Sequence, residues 1–370
     1  MHKTKLTILP GDGIGPEVID AALAILDVVG NQFNLEFELQ KELVGGASLD
    51  VYGEPITDAV LEKCKRSDAV LLGAVGGQKW DNLPQEKKPE KGLLRLRESL
   101  GLFSNLRPAI IFEPLADASS LKKNVIVGSD VLVVRELTGG IYFGEPRGYN
   151  NKEGYNTLRY RKNEVQRIAH VAFQLADKRN GHVTSVDKAN VLDSSQFWRN
   201  IVHDVHMQYS HIPLTDMYID NAAMQLVRDP KQFDVILTQN MFGDILSDIA
   251  AMITGSLGML PSASIGENHA LYEPVHGTAP EIAGQNIANP IAMISSVAMM
   301  LEITLNFPQA AKQINTAIDT VLNAGIRTAD IVHHDSTAVS TSEMRDCIIE
   351  SFKENVDYSE PSIVEETVKE

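Results

Sequence analysis

The sequence predicts an α/β protein of two lobes. Three observations lead there. Short apolar runs alternate with longer amphipathic stretches along most of the chain. At 370 residues the chain exceeds one ordinary domain. Ionisable residues recur directly after the apolar runs, where α/β proteins gather their ligand chemistry.

Composition narrows the function. A hydrophobic content of 44% with 22% charged residues is that of a soluble globular protein. A net charge of −16 argues against broad nucleic-acid or anionic-membrane binding. An anionic substrate would therefore need a local cluster of arginines. Cys64 and Cys347 form neither a disulfide framework nor a metal spacing, which suits a reducing cytoplasm. The apolar run in MHKTKLTILPGDG is too short for a signal peptide. Ile287 to Leu305 is strongly apolar, but Pro290, Ser295, Ser296 and Glu302 interrupt it, so it reads as a buried helix.

In order, Leu6 to Leu9 reads as a first strand of four residues, followed by a Gly-rich turn and a helix to about Val29. The turn is not a dinucleotide fingerprint, because the third glycine of G-x-G-x-x-G would fall on Pro16. Ala69 to Leu72 is a strand leading into Gly76 and Gly77. The polar loop Gln78 to Pro89 has the make-up of a lid. Beyond it, Glu90, Leu93, Leu94 and Arg97 share one helical stripe, suited to an apolar branch beside a carboxylate or to two core leucines with flanking charges. Asn105 and Arg107 face the same way on an extended segment. Arg135 closes the strand Val131 to Val134. Each arginine alone fits a surface ion pair; together they could converge on carboxylates.

The Gly- and Tyr-rich segment 137–160 reads as a protruding β-hairpin arm of the kind that makes dimer contacts. Tyr142 lies in it, as a packing aromatic or a proton donor. Val183 to Asp187 is a strand with Lys188, Asn190 and Val191 beyond it, and Met217 to Ile219 a strand before Asp220. Val235 to Thr238 is a buried strand, Asn240 to Gly243 a turn, and a helix follows. Asp244 and Asp248 are four apart on that helix, so both carboxylates share a face, as for Mg²⁺ or Mn²⁺. An isolated pair reads more readily as a solvated face, but Arg135, Lys188, Asp220 and Asp244 all follow strands. Four such placements favour a functional site. The loop Glu273 to Gly284 carries His276, Gly277, Ala279 and Glu281, with Asn286 and Asn289 beyond. It reads equally as a nucleotide-binding or a structural loop. The stretch from Lys353 to Glu370 reads as an acidic tail.

These segments together resemble the isocitrate/isopropylmalate family of metal-dependent decarboxylating dehydrogenases. The likeness runs from Leu9 to about Glu343. It rests on LPGDGIGPEV from Leu9, GLLRLR from Gly92, NLRP from Asn105, VRELTGGIYFGEPRG from Val134, DKANVL from Asp187, NMFGDILSD from Asn240, EPVHGTAPEIAG from Glu273 and IANP from Ile287. The resemblance implies a non-Rossmann fold of two α/β lobes. Residues 1–102 and 256–370 would form a discontinuous nucleotide-binding domain, and 103–255 a substrate, metal and dimerisation domain with the arm. It implies that Arg97, Arg107 and Arg135 grip malate carboxylates, and that Asp220, Asp244 and Asp248 hold Mg²⁺ or Mn²⁺. Lys188 would take the hydroxyl proton and Tyr142 would protonate the enolate. Lys188 and Asp220 would reach in from the partner of a homodimer. NAD would sit against Gly76, Gly77, Glu90, Asn190, Val191, Glu273, His276, Gly277, Ala279, Glu281 and Asn289.

The same resemblance implies that Leu93 and Leu94 pack an isopropyl branch, where isocitrate-using relatives carry a polar segment. Glu281 stands where NAD-using relatives have aspartate, and an acid there repels a 2′-phosphate. Three rivals remain: a D-malate or tartrate dehydrogenase of the same family, a metal-dependent lyase with no redox step, and a catalytically silent relative, which the presence of Lys188, Tyr142 and the three aspartates disfavours.

Overall fold

The structure, a computed structural model, describes residues 3–332 and 338–354. The first strand, β1 (Thr4–Gly11), alternates its side chains between two cores, with Leu6 and Ile8 in one and Leu9 in the other. It runs eight residues, not the four expected. Backbone pairing of Thr4 and Lys5 with Phe37 and Glu38, and of Gly11 with Ala74, lengthens it beyond its apolar run. Helix α1 (Gly15–Phe33) follows, with Pro16 in its first turn and a left-handed Asn34 at its end. Then come β2 (Phe37–Lys41), α2 (Gly46–Tyr52), α3 (Asp58–Lys65) and the wholly buried β3 (Ala69–Ala74).

Helix α4 (Pro89–Ser99) leads to β4 (Ser104–Ile110), α5 (Lys123–Ile126) and β5 (Asp130–Glu136). A small hairpin of β6 (Gly148–Tyr149) and β7 (Gly154–Tyr155) stands at the expected arm, with Tyr149 89% exposed. Next are α6 (Lys162–Asp177), β8 (Val183–Asp187), α7 (Asp193–His206), β9 (Leu214–Tyr218) and α8 (Ile219–Arg228). The chain continues through β10 (Val235–Thr238), α9 (Asn240–Thr254), β11 (Pro261–Ile265) and β12 (Ala270–Pro274). It closes with α10 (Ile291–Ile303), α11 (Pro308–Asn323) and α12 (Thr341–Glu354).

Ten strands make one sheet, ordered β2-β1-β3-β12-β11-β4-β5-β10-β8-β9. The outer runs are parallel, and the antiparallel pairings β12–β11, β11–β4 and β4–β5 lie between them. Strands β5, β10, β8 and β9 are parallel neighbours, so their carboxyl ends share one edge. Arg135, Asp244, Lys188 and Asp220 all come from that edge. Arg135 lies inside the strand end, not beyond it, and Asp220 opens a helix.

Helix α9 starts at Asn240, where a turn was expected. Gly243 does not break the chain there: it sits inside the helix with its N–H bonded to Gln239 O at 2.8 Å. Its role is close approach: a Cβ there would stand 2.7 Å from Arg135 Cγ. The polar loop 78–89 contains two short 3-10 turns and is tethered in its first half, where Lys79 Nζ and Trp80 Nε1 reach Asp50 at 2.5 and 3.3 Å. Helix α10 is buried almost all round, and no helix among the described residues is long and apolar enough to cross a membrane. Lys353 and Glu354 belong to α12, and the remainder of the expected acidic tail lies outside the described residues.

Candidate active site

A cleft of about 760 Å³ brings together residues that are far apart in the sequence. Helix α4 presents Glu90, Leu93, Leu94 and Arg97 to it, and β4 and β5 present Arg107 and Arg135. The arm adds Tyr142, α9 adds Asp244, and the end of β12 adds Glu273, His276 and Gly277. The helical stripe is thus a wall of the cleft. Its two leucines are only half-buried, leaving apolar surface beside the guanidinium groups.

The three arginines are buried, and each charge is answered. Arg97 Nη2 pairs with Glu273 Oε1 at 2.7 Å. Arg107 donates Nε to Asn105 Oδ1 and Nη1 to Ser247 Oγ, both at 2.7 Å. Arg135 donates to Asn240 Oδ1 from Nε at 3.1 Å and from Nη2 at 2.9 Å, and Nη1 bonds Asp244 Oδ1. Burial, with Arg135 nearby, lowers the Arg107 pKa to about 10, so the group remains a cation at neutral pH. A dicarboxylate entering here would meet fixed positive charge that needs little rearrangement.

Asp244 is the hub of the cleft. Its Oδ2 accepts the Tyr142 hydroxyl at 3.0 Å, and Arg107 stands 3.5 Å from Oδ1. Burial pushes the Asp244 carboxyl up, but Arg135, Arg107 and the tyrosine outweigh it and hold the group below the usual range. Asp248, one turn on, behaves oppositely: partial burial and then the charge of Asp244 push it up. Burial and the same carboxylate raise the Tyr142 hydroxyl, keeping it a proton donor. A carboxylate pair in which one member repels the other's charge fits a hard divalent cation.

Lys188 and Asp220 form a separate pair at the same sheet edge, Nζ to Oδ1 at 2.7 Å, and that bond lowers the Asp220 carboxyl. Neither lines the cleft, and among the described residues no three acidic, histidine or cysteine side chains gather as a metal cluster. One chain therefore offers Asp244 and Asp248 without Asp220 beside them.

Of the residues expected to hold a dinucleotide, Glu90, Glu273, His276 and Gly277 line the cleft. The His276 imidazole is held neutral by burial, Nδ1 lies 2.8 Å from Gly277 O, and Nε2 is buried without a hydrogen-bond partner. A Cβ at Gly277 would meet open space. An orphaned ring nitrogen beside such a loop fits a planar heterocycle with its own polar edge. Gly76 and Gly77 have φ of 126° and 149°, and Ala279 has φ of 38°. Glu281, Asn190 and Val191 are exposed away from the cleft. Asn289 is spent on structure, donating Nδ2 to Asp330 Oδ2 at 3.0 Å and accepting from Ile291 N–H at 3.0 Å.

Four supporting residues escaped the sequence reading. Asp12 is buried in the first Gly-rich turn and accepts the N–H groups of Gly46, Ala47 and Gly76 at 2.8, 2.8 and 2.9 Å, which fastens the loop after β3. Asn240 and Ser247 hold arginines. Arg147 of the arm lines the cleft and donates Nη1 to Tyr142 O at 2.8 Å. An acid between two glycines was the available signal for Asp12; the others carry no periodic mark.

A sheet of opposed parallel runs, with buried arginines and Asp244 in a cleft over it and Asp248 one turn beyond the lining, is the frame of an α/β enzyme for a small dicarboxylate. The profile of the isocitrate/isopropylmalate dehydrogenase family matches residues 5–348, and the chain belongs to that family. Members of the family are decarboxylating dehydrogenases, a class of oxidoreductases. The chain is 60% identical over 349 residues to a 3-isopropylmalate dehydrogenase of Chlorobium chlorochromatii, covering 94% of this chain and 99% of the relative. It is 53% identical over 350 residues to one of Saccharophagus degradans, covering 93% and 98%. Among solved structures, isocitrate dehydrogenase from Methylococcus capsulatus superposes with a TM-score of 0.84 at 33% identity, covering 95% of this chain and 99% of that one.

Proposed function

We propose that this protein catalyses the NAD-dependent oxidative decarboxylation of (2R,3S)-3-isopropylmalate to 4-methyl-2-oxopentanoate and CO2, a step of leucine biosynthesis. The observation that carries the substrate is the half-buried Leu93–Leu94 surface beside three buried arginines in one cleft. Burying an isopropyl branch there is worth about 2 kcal/mol, enough to favour it over unbranched malate. A third carboxylate, as in isocitrate, would be placed against the leucines at a desolvation cost.

When bound, NAD supplies the hydride acceptor, and Mg²⁺ or Mn²⁺ supplies charge stabilisation at the substrate's C2 oxygen. Everything else falls to the chain. Arg97, Arg107 and Arg135 orient the two malate carboxylates, and the leucines exclude water around the branch. Lys188 takes the proton of the C2 hydroxyl. The Tyr142 hydroxyl, kept protonated by its surroundings, delivers a proton to carbon after CO2 leaves. Asp220, Asp244 and Asp248 would hold the cation, Asp220 reaching it from the partner subunit. The His276–Gly277 loop, Glu90 and Glu273, which line the cleft, would hold the dinucleotide, with Gly76 and Gly77 allowing its close approach and Glu281 meeting the part that extends beyond the cleft. Asn190, Val191, Ala279 and Asn289 complete that site less directly.

Lys188 and Asp220 serve the site of a partner subunit in a homodimer. Exposed apolar residues on α8 and α9 support this: Met224, Val227, Ile245 and Met252 are between 46% and 62% exposed. The division into a lobe of 1–102 with 256–370 and a lobe of 103–255 is supported by the described strands of each range, which occupy opposite halves of the sheet. The protein works in the cytoplasm. The reaction is tested by supplying 3-isopropylmalate, NAD and Mg²⁺ and measuring both products. Equal yields of NADH and CO2 support it; NADH without CO2, or neither, sinks it. Shared sites are tested by mixing Lys188→Ala with Tyr142→Phe subunits: recovery of about a quarter of wild-type activity marks a site built by two chains, and no recovery a site within one.

A further inference from the structure

An ion network that the catalytic reading leaves unused lies behind the Lys188–Asp220 pair. Arg199, on α7, donates Nε to Asp187 Oδ2 at 2.8 Å and Nη2 to Asp187 Oδ1 at 2.7 Å. Asp187 is fully buried and ends β8, and its Oδ1 also accepts the N–H of Ala189 at 2.9 Å. The carboxylate therefore straddles the backbone of Lys188. The same guanidinium lies over the ring of Tyr218, 5.2 Å from its centroid, and Tyr218 ends β9. Asp187 and Tyr218 are direct partners in the β8–β9 register. Asp216 completes the group, 3.8 Å from Arg199 Nε and 2.8 Å from His203 Nε2.

One side chain from a neighbouring helix thus touches the last residue of each of two strands. The residues that follow are Lys188 and, after Ile219, Asp220. A planar fork can hold both oxygens of a buried carboxylate while its face rests on an aromatic ring, and an ammonium cannot do both. We propose that Arg199 is a positioning residue that fixes the geometry of the Lys188–Asp220 pair. The claim rests on the reading of those two residues as working groups, and Arg199 itself touches no substrate.

The test uses full-length Arg199→Lys and Tyr218→Leu beside the wild-type protein, with two readouts. In cofactor-free protein, limited acetic anhydride labelling followed by peptide mass spectrometry gives the reactivity of Lys188 against the other lysines. In Arg199→Lys, Lys188 should label about threefold faster or more, because its amine is no longer held against Asp220. In turnover of 3-isopropylmalate, kcat should fall about tenfold or more while KM for NAD stays within about twofold. General loosening of the fold would instead speed labelling of many lysines and raise KM for NAD, and that result overturns the proposal. So does unchanged Lys188 labelling in a folded variant. Should Arg199→Lys fail to fold, Tyr218→Leu keeps the ion pair and loses only the ring contact, and the same two readouts should shift in the same direction by less. Wild-type protein inactive on 3-isopropylmalate would defeat the catalytic reading alone, and the labelling would still decide the positioning claim.

Discussion

Tyr142 donates its hydroxyl to Asp244 Oδ2 at 3.0 Å, so the proposed proton donor and the proposed cation ligand are in direct contact. The opposite oxygen of Asp244 carries Arg135 and Arg107. The carboxylate thus faces cations on one side and a neutral, exchangeable donor on the other. A cation held by Asp244 would have to share the carboxylate with these three partners.

Tyr142→Phe isolates the hydroxyl. The ring, with the Arg135 guanidinium 5.9 Å from its centroid, is retained, so the melting temperature should move little. Turnover should fall by about 10²–10⁴ if the hydroxyl is the acid. Steady-state kinetics beside a thermal melt read both. Turnover within a factor of about two would remove Tyr142 from the chemistry.

Asn240→Ala should destabilise the protein without touching substrate. Arg135 is 2% exposed and would lose two hydrogen bonds, and the carbonyls of Leu137 and Gly139 would lose the donors they share. A cost of about 2–3 kcal/mol is expected, against about 1 kcal/mol for Ser247→Ala, which removes one bond to Arg107. Urea unfolding of both variants checks the order, and a smaller loss for Asn240→Ala would contradict the assigned partners.

The acid pair gives a pH dependence with a definite sign. The folded protein raises Asp248 above its unfolded value near 3.8, so the ionised group costs stability at neutral pH and that cost fades as pH falls through the folded value. Asp244 is depressed and works the other way, adding stability above its unfolded pKa that is lost as pH falls through the folded one. Mg²⁺ should therefore raise the melting temperature more at neutral pH than near about pH 4. Asp248→Asn should raise the cation-free melting temperature at neutral pH and shrink the Mg²⁺ shift. An undiminished shift in the variant would place the cation elsewhere.

Replacing Leu93 and Leu94 together by alanine should erode selection for the branch. A tenfold to 200-fold loss in the kcat/KM ratio of 3-isopropylmalate to D-malate is the order expected for removing such a contact, about 1–3 kcal/mol. Competition assays measure it, and an intact ratio would move the branch pocket off α4.

The sequence made visible what has a period or a place. Glu90, Leu93, Leu94 and Arg97 were readable as a stripe because a helix repeats every 3.6 residues, and β5, β8 and β10 because buried parallel strands are short runs; of the edge strand β9, LTDMY, only Met217 and Tyr218 were read as strand, because its Thr215 and Asp216 break the apolar run and Ile219 already belongs to α8. The Rossmann fingerprint was correctly refused on Pro16. Asn240 and Ser247 were not readable as supports, because their partners lie elsewhere in the chain and a buried polar contact leaves no local pattern. Gly243 was read as a turn because sequence alone cannot separate a glycine that bends the chain from one that admits Arg135. The carboxylates of Asp244 and Asp248 were readable as one face, yet Asp220 does not gather with them within the chain, which no local pattern could have told.

The most direct test of the account is NADH formation with Mg²⁺, comparing 3-isopropylmalate, D-malate and isocitrate at equal concentration. Metal-dependent turnover with a clear preference for 3-isopropylmalate is the expected result. Faster turnover of D-malate or isocitrate by the same folded protein would contradict it.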